Sequence, residues 1–376
     1  MKHIIYADNA ATTKMDEDIA KEMMAFLREE YANPSSLYSI ARISRKKVEE
    51  ARANIAGLIG ADSDEIFFTS GGTESDNWAI KGRAFCYPGQ KKRIITTQIE
   101  HHAILRSCAF LEKLGYEVVY LPVDEKGILH PEILETAINE NTVLVSVMLA
   151  NNEIGSIEPI GELAAIANRH DVPFHTDAVQ AVGHIPISVK NLGVDMLSAS
   201  GHKFNSPKGI GFLYVRKGTE LLPYHHGGAQ ETNMRAGTEN VASIAAMAAA
   251  LERNCETMNK HRDHLLQLEK IILYKLNSAG IDYIRNGAEP RIPGNISLSF
   301  KNYDGEMILH RLDLKGICVS TGSACNSKET EISHVLQAIH LPEEYARGTI
   351  RISLGKGNTM DEAKTIAEEI LTIVKK

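Results

Sequence analysis

Residues 142–149 restrict the fold of this chain more than any other stretch, because they form one continuous apolar run. A strand that is apolar on both faces is typical of a parallel sheet covered by helices on both sides. Further strand-like runs alternate with helix-like segments, at 65–69, 93–98, 117–122, 172–176, 194–199 and 210–215. This alternation predicts an open α/β sheet, mostly parallel, with a site at the carboxyl edge of its strands.

The second half of the chain is organised differently. An Ala-rich segment over 241–278 predicts one long helix that ends before Gly280. Beyond it, short strand-like runs at 295–300 and 349–353 are mixed with helix-like runs, which is typical of a small α+β domain. For a chain of 376 residues we therefore expect a large α/β domain over 14–255 and a small domain built from 1–13 and 256–376.

Composition argues against several classes of protein. The net charge is −7, and the basic blocks at 45–47 and 91–93 are short, so direct binding of nucleic acid is not expected. We expect no membrane segment, since no apolar run reaches spanning length, and no signal peptide at the N-terminus. Five cysteines without framework spacing suit a reducing compartment, so we expect a cytoplasmic protein.

Lys203 and Asp177 form the first candidate constellation. Lys203 follows one strand-like run and precedes another, and small or hydroxylated residues at 198–201 surround it. A lysine that forms a Schiff base needs such space, whereas an ordinary lysine is only a solvated charge. Asp177 ends the strand at 172–176, where it could pair with the ring nitrogen of pyridoxal phosphate or simply cap a helix.

Three further strand ends carry polar residues. Gly72 and Thr73 stand between a strand and a helix, a junction that binds phosphate or forms a plain turn. His101 stands at the next such junction, where its ring could stack on a cofactor and move protons, or lie on the surface. Asn151 and Asn152 follow the strand at 142–149 and could bind a cofactor oxygen or make the turn.

Cys325 differs from the other four cysteines in its surroundings. It lies in a segment rich in Gly, Ser and Thr at about 320–331, which we expect to be mobile and exposed, as a thiol nucleophile requires. The other reading is a loop cysteine without a role. Arg351 lies inside a strand-like run, where it either holds a substrate carboxylate or forms a structural salt bridge.

Eight motifs, in order and over nearly the whole chain, resemble those of the NifS/IscS-type cysteine desulfurases with a long cysteine loop. They are Ala7–Thr13, Asn33–Ser36, Thr69–Ser75, Glu100–His101, Asn151–Gly155, His175–Gln180, Ser200–Lys203 and Ser320–Cys325. The resemblance implies fold-type I, the aspartate aminotransferase-like fold of pyridoxal 5′-phosphate enzymes.

The resemblance also implies roles for individual residues. Lys203 would hold the cofactor covalently, Asp177 would pair with its ring nitrogen, and His101 would stack on its ring. The other cofactor-binding residues would be Asn152 and Gln180 at the ring oxygen and Gly72, Thr73, Ser200 and His202 at the phosphate. Thr238 would reach the phosphate in the other subunit, which implies a homodimer. Arg351 and Asn33 would bind the substrate.

The implied reaction removes sulfur from L-cysteine, which gives alanine and a persulfide on the nucleophile Cys325. An iron–sulfur scaffold or a tRNA-thiolation protein would accept the sulfur. No resident metal is implied, and an iron–sulfur contact at Cys325 would arise only with an acceptor. The alternatives are a selenocysteine lyase, another fold-type I enzyme such as an aminotransferase, and a sulfur-relay or scaffold-binding protein with a vestigial site.

Overall fold

The computed structural model describes residues 4–87, 89, 92–321 and 332–375. Seven of its strands form one large sheet: β2 (Ile66–Thr69), β3 (Arg93–Thr97), β4 (Glu117–Leu121), β5 (Thr142–Ser146), β6 (Phe174–Asp177), β7 (Met196–Ser200) and β8 (Gly211–Val215). Their order is β2-β8-β7-β6-β5-β3-β4. The mostly parallel sheet predicted from the sequence is confirmed, and β8 runs antiparallel to both of its neighbours.

The reversal at β8 has a simple cause in the chain. Only residues 201–210 connect β7 to β8, which is too short for the crossover that a parallel pair requires. The connection therefore turns back at the carboxyl end of β7. Lys203 lies in this connection, in a single 3-10 turn over Gly201–Lys203.

Helices cover both faces of the large sheet. They are α1 (Glu17–Glu29), α2 (Ser39–Ile59), α3 (Gly72–Ala84), α4 (His102–Glu112), α5 (Pro131–Ala137), α6 (Ile160–Arg169) and α7 (Val189–Leu192). Short 3-10 turns at Ser63–Glu65 and Gln230–Asn233 complete this part. Two apolar clusters hold the helices to the sheet, one around Phe174 and Phe212 and the other around Trp78 and Leu213.

A second group of strands has its own apolar cluster, around Ile296, Phe300 and Ile370. Its strands are β9 (Tyr283–Arg285), β10 (Asn295–Phe300) and β12 (Thr349–Ser353), in the order β12-β10-β9, and the parallel pair β1 (Ile5–Tyr6) and β11 (Ile317–Cys318). Its helices are α9 (Gly305–Leu314), α11 (Glu343–Ala346) and α12 (Met360–Val374). The N-terminal arm thus packs with the C-terminal part of the chain.

Two helices connect these parts. The 38-residue α8 (Val241–Ser278) has the predicted bounds. Its first half contributes Ile244 and Leu251 to the cluster of the large sheet, and its second half contributes Leu268 to the other cluster. The short α10 (His334–Ala338) packs on the large-sheet side. The domain bounds 14–255 and 256–376 remain a prediction, and α10 crosses that division.

Candidate active site

A cavity of about 820 Å³ opens at the carboxyl edge of the large sheet. Strand ends, the N-terminus of α3, the N-terminal arm and β12 all contribute to its wall. It brings together most of the residues predicted to form the site: Gly72, Thr73, His101, Asn152, Asp177, Gln180, Ser200, His202, Lys203 and Arg351.

Lys203 projects into this cavity from the turn that follows β7. Its Nζ donates hydrogen bonds to the backbone oxygens of Ala10 at 2.6 Å and Ala11 at 2.9 Å. On its other side, its backbone oxygen lies 2.8 Å from Nε2 of His184. These contacts fix the lysine between the sheet and the N-terminal arm, so the amine is not a freely solvated charge.

Asp177 ends β6 and is buried, with 5% of its surface exposed. Its Oδ1 accepts a hydrogen bond from the backbone N–H of Val179 at 2.9 Å, so the carboxylate stabilises the turn that follows the strand. Burial raises the pKa of Asp177, while His101, the Val179 N–H and Lys203 oppose that rise. The same carboxylate lines the cavity, so the turn-forming role and the site role are compatible.

His101 also has two functions in the structure. It is the N-cap of α4, where its Nδ1 accepts a hydrogen bond from the N–H of Ala103 at 3.1 Å. Because Nδ1 accepts, the proton of the neutral ring resides on Nε2. Burial lowers the pKa of His101, with Asp177 opposing and Lys203 adding to the effect. A neutral imidazole therefore lines the cavity beside Asp177.

The opposite end of the cavity is suited to an anion. Gly71 is the N-cap of α3 with φ +143°, and a Cβ on Gly72 would lie 2.6 Å from Val179 Cγ2. Backbone N–H groups at this helix start have no partner within the helix. The hydroxyls of Thr73 and Ser200 make no hydrogen bond within the part of the chain that the structure describes, so both can donate to a bound phosphate.

His202 stands beside this anion-binding end. Its Nδ1 lies 3.1 Å from Oγ1 of Thr12. Burial, Lys203 and Lys208 lower the pKa of His202 to about 4. The ring is therefore neutral near pH 7 and acts as a hydrogen-bonding group, while Lys208, which also lines the cavity, supplies positive charge.

The two asparagines after β5 have separate tasks. Asn151 makes the turn: its Oδ1 accepts from the N–H groups of Glu153 and Ile154, and its Nδ2 donates to Ile99 O. Asn152 lines the cavity. Gln180 lines it too, and its Nε2 donates to Ala10 O at 3.0 Å. Asn151 therefore makes the turn, whereas Asn152 lies at the cavity and its contact with a cofactor oxygen remains a prediction.

Arg351 lies on β12 and is 6% exposed. Its Nη2 donates to Oδ1 of Asp8 at 2.8 Å and its Nη1 to Asn152 O at 3.1 Å, whereas its buried Nε has no partner within the described residues. Its backbone pairs with Ser320 through two hydrogen bonds. The salt bridge considered from the sequence exists, and one donor of the guanidinium is left without a partner among the described residues.

Three predicted site residues are not part of this wall. Asn33 does not line the cavity, and its Oδ1 accepts from the Ser35 N–H within its own loop. Thr238 also does not line the cavity of the single chain. Cys325 lies outside the described residues, but the nearest described residues on either side, Thr321 and Ile332, both line the cavity.

Sequence reasoning missed several residues of the site. The N-terminal arm contributes Ala10, Ala11 and Thr12, and α3 contributes Asp76. A signal for Asp76 was available, because it shares one face of α3 with buried Ala79, Ile80 and Arg83 at helical spacing. A charged side chain on such a face requires a buried polar partner. The arm carries the motif Ala7–Thr13 of the resemblance, but no individual site residue was predicted from it.

Among the described residues, one group of side chains has the spacing of metal ligands. One ligand atom each of Asp76, His101 and Asp177 lie within 4.8 Å of one another. His225 and His226, adjacent in the sequence, belong to no such group. The three clustered residues share the cavity with Lys203, and the absence of a resident metal remains a prediction.

Comparisons with known proteins agree with this geometry. The family model described as Aminotransferase class-V matches residues 5–366. A protein named cysteine desulfurase IscS from Dictyoglomus turgidum is 50% identical over 100% of this chain and 96% of its own length. Its counterpart from Methanosarcina thermophila is 46% identical over 99% of this chain and 92% of its own length.

Solved structures agree as well. A NifS-like protein matches with a TM-score of 0.94 at 39% identity, over 99% of this chain and 100% of its own. SspA in complex with cysteine matches with a TM-score of 0.85 at 36% identity, over 94% and 100%. In the described part of the chain, no helix has the length and apolarity needed to cross a membrane. The chain belongs to the class-V aminotransferase family, among its cysteine desulfurases of the NifS/IscS type.

Proposed function

We propose that this chain removes the sulfur atom of L-cysteine with the help of pyridoxal 5′-phosphate. In the balanced reaction, L-cysteine and the Cys325 thiol give L-alanine and a Cys325 persulfide: the substrate C–S bond breaks and an S–S bond forms. The observation that carries the proposal is the meeting of Lys203, Asp177 and Arg351 in one cavity, which Thr321 and Ile332 border on either side of the Cys325 segment.

The cavity fits this cofactor from end to end. Gly72, Thr73, Ser200 and His202 would hold the phosphate, where unpaired hydroxyls and a helix N-terminus converge. Asp177 would face the ring nitrogen, Asn152 and Gln180 the ring oxygen, and His101 the ring face. The bound ring would withdraw electrons from the substrate α-carbon.

Proton transfer, substrate orientation and attack on the sulfur would each be carried out by a residue of the chain. Lys203 Nζ would take the proton from the α-carbon and return one later, since its amine is fixed at the strand end. Arg351 would orient the substrate carboxylate with a planar fork that Asp8 and Asn152 already hold. The Cys325 thiolate would attack the substrate sulfur. Asn33 would complete substrate binding from a position that a single chain leaves outside the cavity.

The finer assignments follow from the same resemblance. We expect a homodimer in which Thr238 contacts the phosphate bound by the other subunit, because Thr238 does not line its own cavity. The sulfur acceptor would be an iron–sulfur scaffold or a tRNA-thiolation protein. We expect this reaction to take place in the cytoplasm.

Alanine and sulfide release from L-cysteine, with a thiol reductant present, tests the proposal. Cys325→Ala should lose sulfide release and keep the absorption of the bound cofactor. Cys318→Ala is the matched control, because Cys318 is the described cysteine nearest in sequence and lies on β11 outside the cavity wall. Alanine release at the wild-type rate by Cys325→Ala would contradict the persulfide assignment.

A further inference from the structure

We propose that Asp76 is a positioning residue that stays protonated and thereby keeps the single negative charge of the cavity floor on Asp177. The cavity floor is the set Asp76, His101, His175 and Asp177. This inference rests on the proposed function, because the charge on Asp177 matters when a cationic ring nitrogen lies against it.

The geometry brings two carboxyl groups unusually close. Asp76 is 1% exposed, and one of its carboxyl oxygens, one of Asp177 and a ring nitrogen of His101 lie within 4.8 Å of one another. Asp76 Oδ1 is buried and has no hydrogen-bond partner among the described residues. Two buried carboxylates at this separation repel strongly, so one of them retains a proton.

Among the described residues, no cation on the far side of Asp76 would support a second charge. His175 Nε2 lies 3.8 Å from Asp76 Oδ1, but this ring is fully buried between Ser146 Oγ at 2.8 Å and Ser198 Oγ at 2.9 Å. Burial lowers the pKa of His175 to about 3, so the ring is neutral near pH 7. Glu100, an acid near Asp76, is also buried, burial raises its pKa to about 8, and it supplies no positive charge.

The surroundings decide which carboxyl group keeps the charge. Asp177 accepts the Val179 N–H and faces Lys203 and His101, all of which favour its ionised form. Burial and the charge of Asp177 raise the pKa of Asp76 well above its ordinary value, with the Ser198 hydroxyl as the opposing influence. The proton therefore resides on Asp76 and the charge on Asp177.

This division has a consequence for the site. A protonated Asp76 lies beside the ionised Asp177 without adding a second negative charge. His101 then faces the charge of one carboxylate rather than two. Because a second negative charge would favour a protonated ring, this arrangement helps the ring stay neutral. The ring nitrogen of a bound cofactor meets one fixed negative charge.

Three variants separate a protonated Asp76 from an ionised one. Asp76→Asn copies the protonated group, Asp76→Leu removes its hydrogen bonding at similar volume, and Asp177→Asn removes the charge. The readout is the dissociation constant of pyridoxine 5′-phosphate, which cannot bond covalently to Lys203, measured by fluorescence on the full-length apoprotein at pH 7.

Asp76→Leu should weaken binding roughly tenfold or more, since an apolar group would replace the polar group beside the charge of Asp177. Asp76→Asn should restore most of that affinity. In the Asp177→Asn background, Asp76→Leu should weaken binding little further, because Asp76 acts through Asp177. Equal losses of affinity in Asp76→Asn and Asp76→Leu would mean that Asp76 is ionised. Wild-type affinity in Asp76→Leu would show that Asp76 has no positioning role.

A direct measurement covers the case in which Asp76→Leu does not fold. The infrared difference spectrum of wild type minus Asp76→Asn at pH 7 should contain the band of a protonated carboxyl group. A carboxylate band in its place would overturn the proposal. Neither readout depends on turnover, so a failure of the desulfurase assignment at Cys325 would be seen separately.

Discussion

The cavity floor and the outer wall of the same site are built in opposite ways. The outer wall is the set Asp8, Asn152, Ser320 and Arg351. Residues of the floor lie on neighbouring elements: Asp76 lies in α3, His101 is the N-cap of α4, and His175 and Asp177 lie on β6. Those of the wall come from distant parts of the chain, since Asp8 and Arg351 are 343 positions apart.

Their electrostatics differ as well. In the floor, burial is the largest influence on every titrating group, so pKa values of acids rise and those of histidines fall. In the wall, the guanidinium of Arg351 donates to one carboxylate oxygen, on Asp8, and to one backbone oxygen, on Asn152. The floor is suited to proton chemistry, and the wall to recognition of a fixed charge.

Replacement of Lys203, which projects over the floor, is expected to have the largest effect. Lys203→Ala removes the amine that moves the α-proton, so alanine formation should fall by at least about 10²–10⁴-fold. Lys208→Ala, in the same cavity, should cost far less, because that lysine supplies charge only. The measurement is alanine release at saturating L-cysteine. Similar losses in both variants would show that charge rather than proton transfer is required.

Arg351→Lys tests the wall. A lysine keeps the charge but loses the planar fork, so kcat/KM for L-cysteine should fall about 10–100-fold, mainly through KM. Arg347→Lys is the control, since that exposed arginine pairs with Glu343 one helical turn away. Steady-state kinetics at several cysteine concentrations give the result. A fall in kcat at unchanged KM would place Arg351 in the chemistry of the floor.

Parts of the floor and parts of the wall were predictable from the sequence, but no role was predicted for Asp76 or for Asp8. Lys203, Asp177 and His101 each follow a strand-like run, and the carboxyl ends of parallel strands meet at one edge, so local pattern sufficed. Asp8 lies in an arm with a two-residue strand, too short for any periodicity. Its pairing with Arg351 depends on the parallel pair β1–β11, which only the folded chain defines.

The bounds of helices and strands also differ in how well they could be predicted from the sequence. The sequence predicted α8, β10 and β12 with the bounds that the structure has, because long or strongly apolar segments carry clear patterns. It placed Gly72 and Thr73 ahead of a helix, between that helix and a strand, whereas α3 begins at Gly72. The glycines concealed that start, since they are poor helix formers in general but suit a helix N-terminus that faces an anion.

The stability of the floor should depend on pH. Burial raises the pKa of Glu100, next to the floor, to about 8, above its ordinary 4.5. A raised pKa stabilises the fold fully below the ordinary value, and this stability is lost as the pH rises toward 8. The free energy of unfolding of the apoprotein should therefore fall over pH 5–8, by up to about 1.4 kcal/mol per pH unit for each such proton.

Glu100→Gln should flatten this dependence, because the amide keeps the acceptor used by Thr97 and the Met148 N–H but cannot ionise. Glu158, whose pKa burial also raises to about 8, should account for part of the remaining slope. Urea unfolding at several pH values measures it, with Glu252→Gln on the exposed face of α8 as control. An unchanged slope in Glu100→Gln would show that Glu100 does not retain its proton.

Asp8→Asn, which alters the wall, is the variant with the smallest expected effect. The amide keeps the shape of Asp8 but not its charge, so Arg351 retains a hydrogen bond at Nη2 and loses an ion pair. We expect KM for L-cysteine to rise about fivefold, roughly 1 kcal/mol, at unchanged kcat, because the fork is less well oriented. A lower KM would mean instead that Asp8 competes with the substrate carboxylate for Arg351. The wall would then be a switch between an internal and an external carboxylate, whereas the floor would still hold its one charge in place.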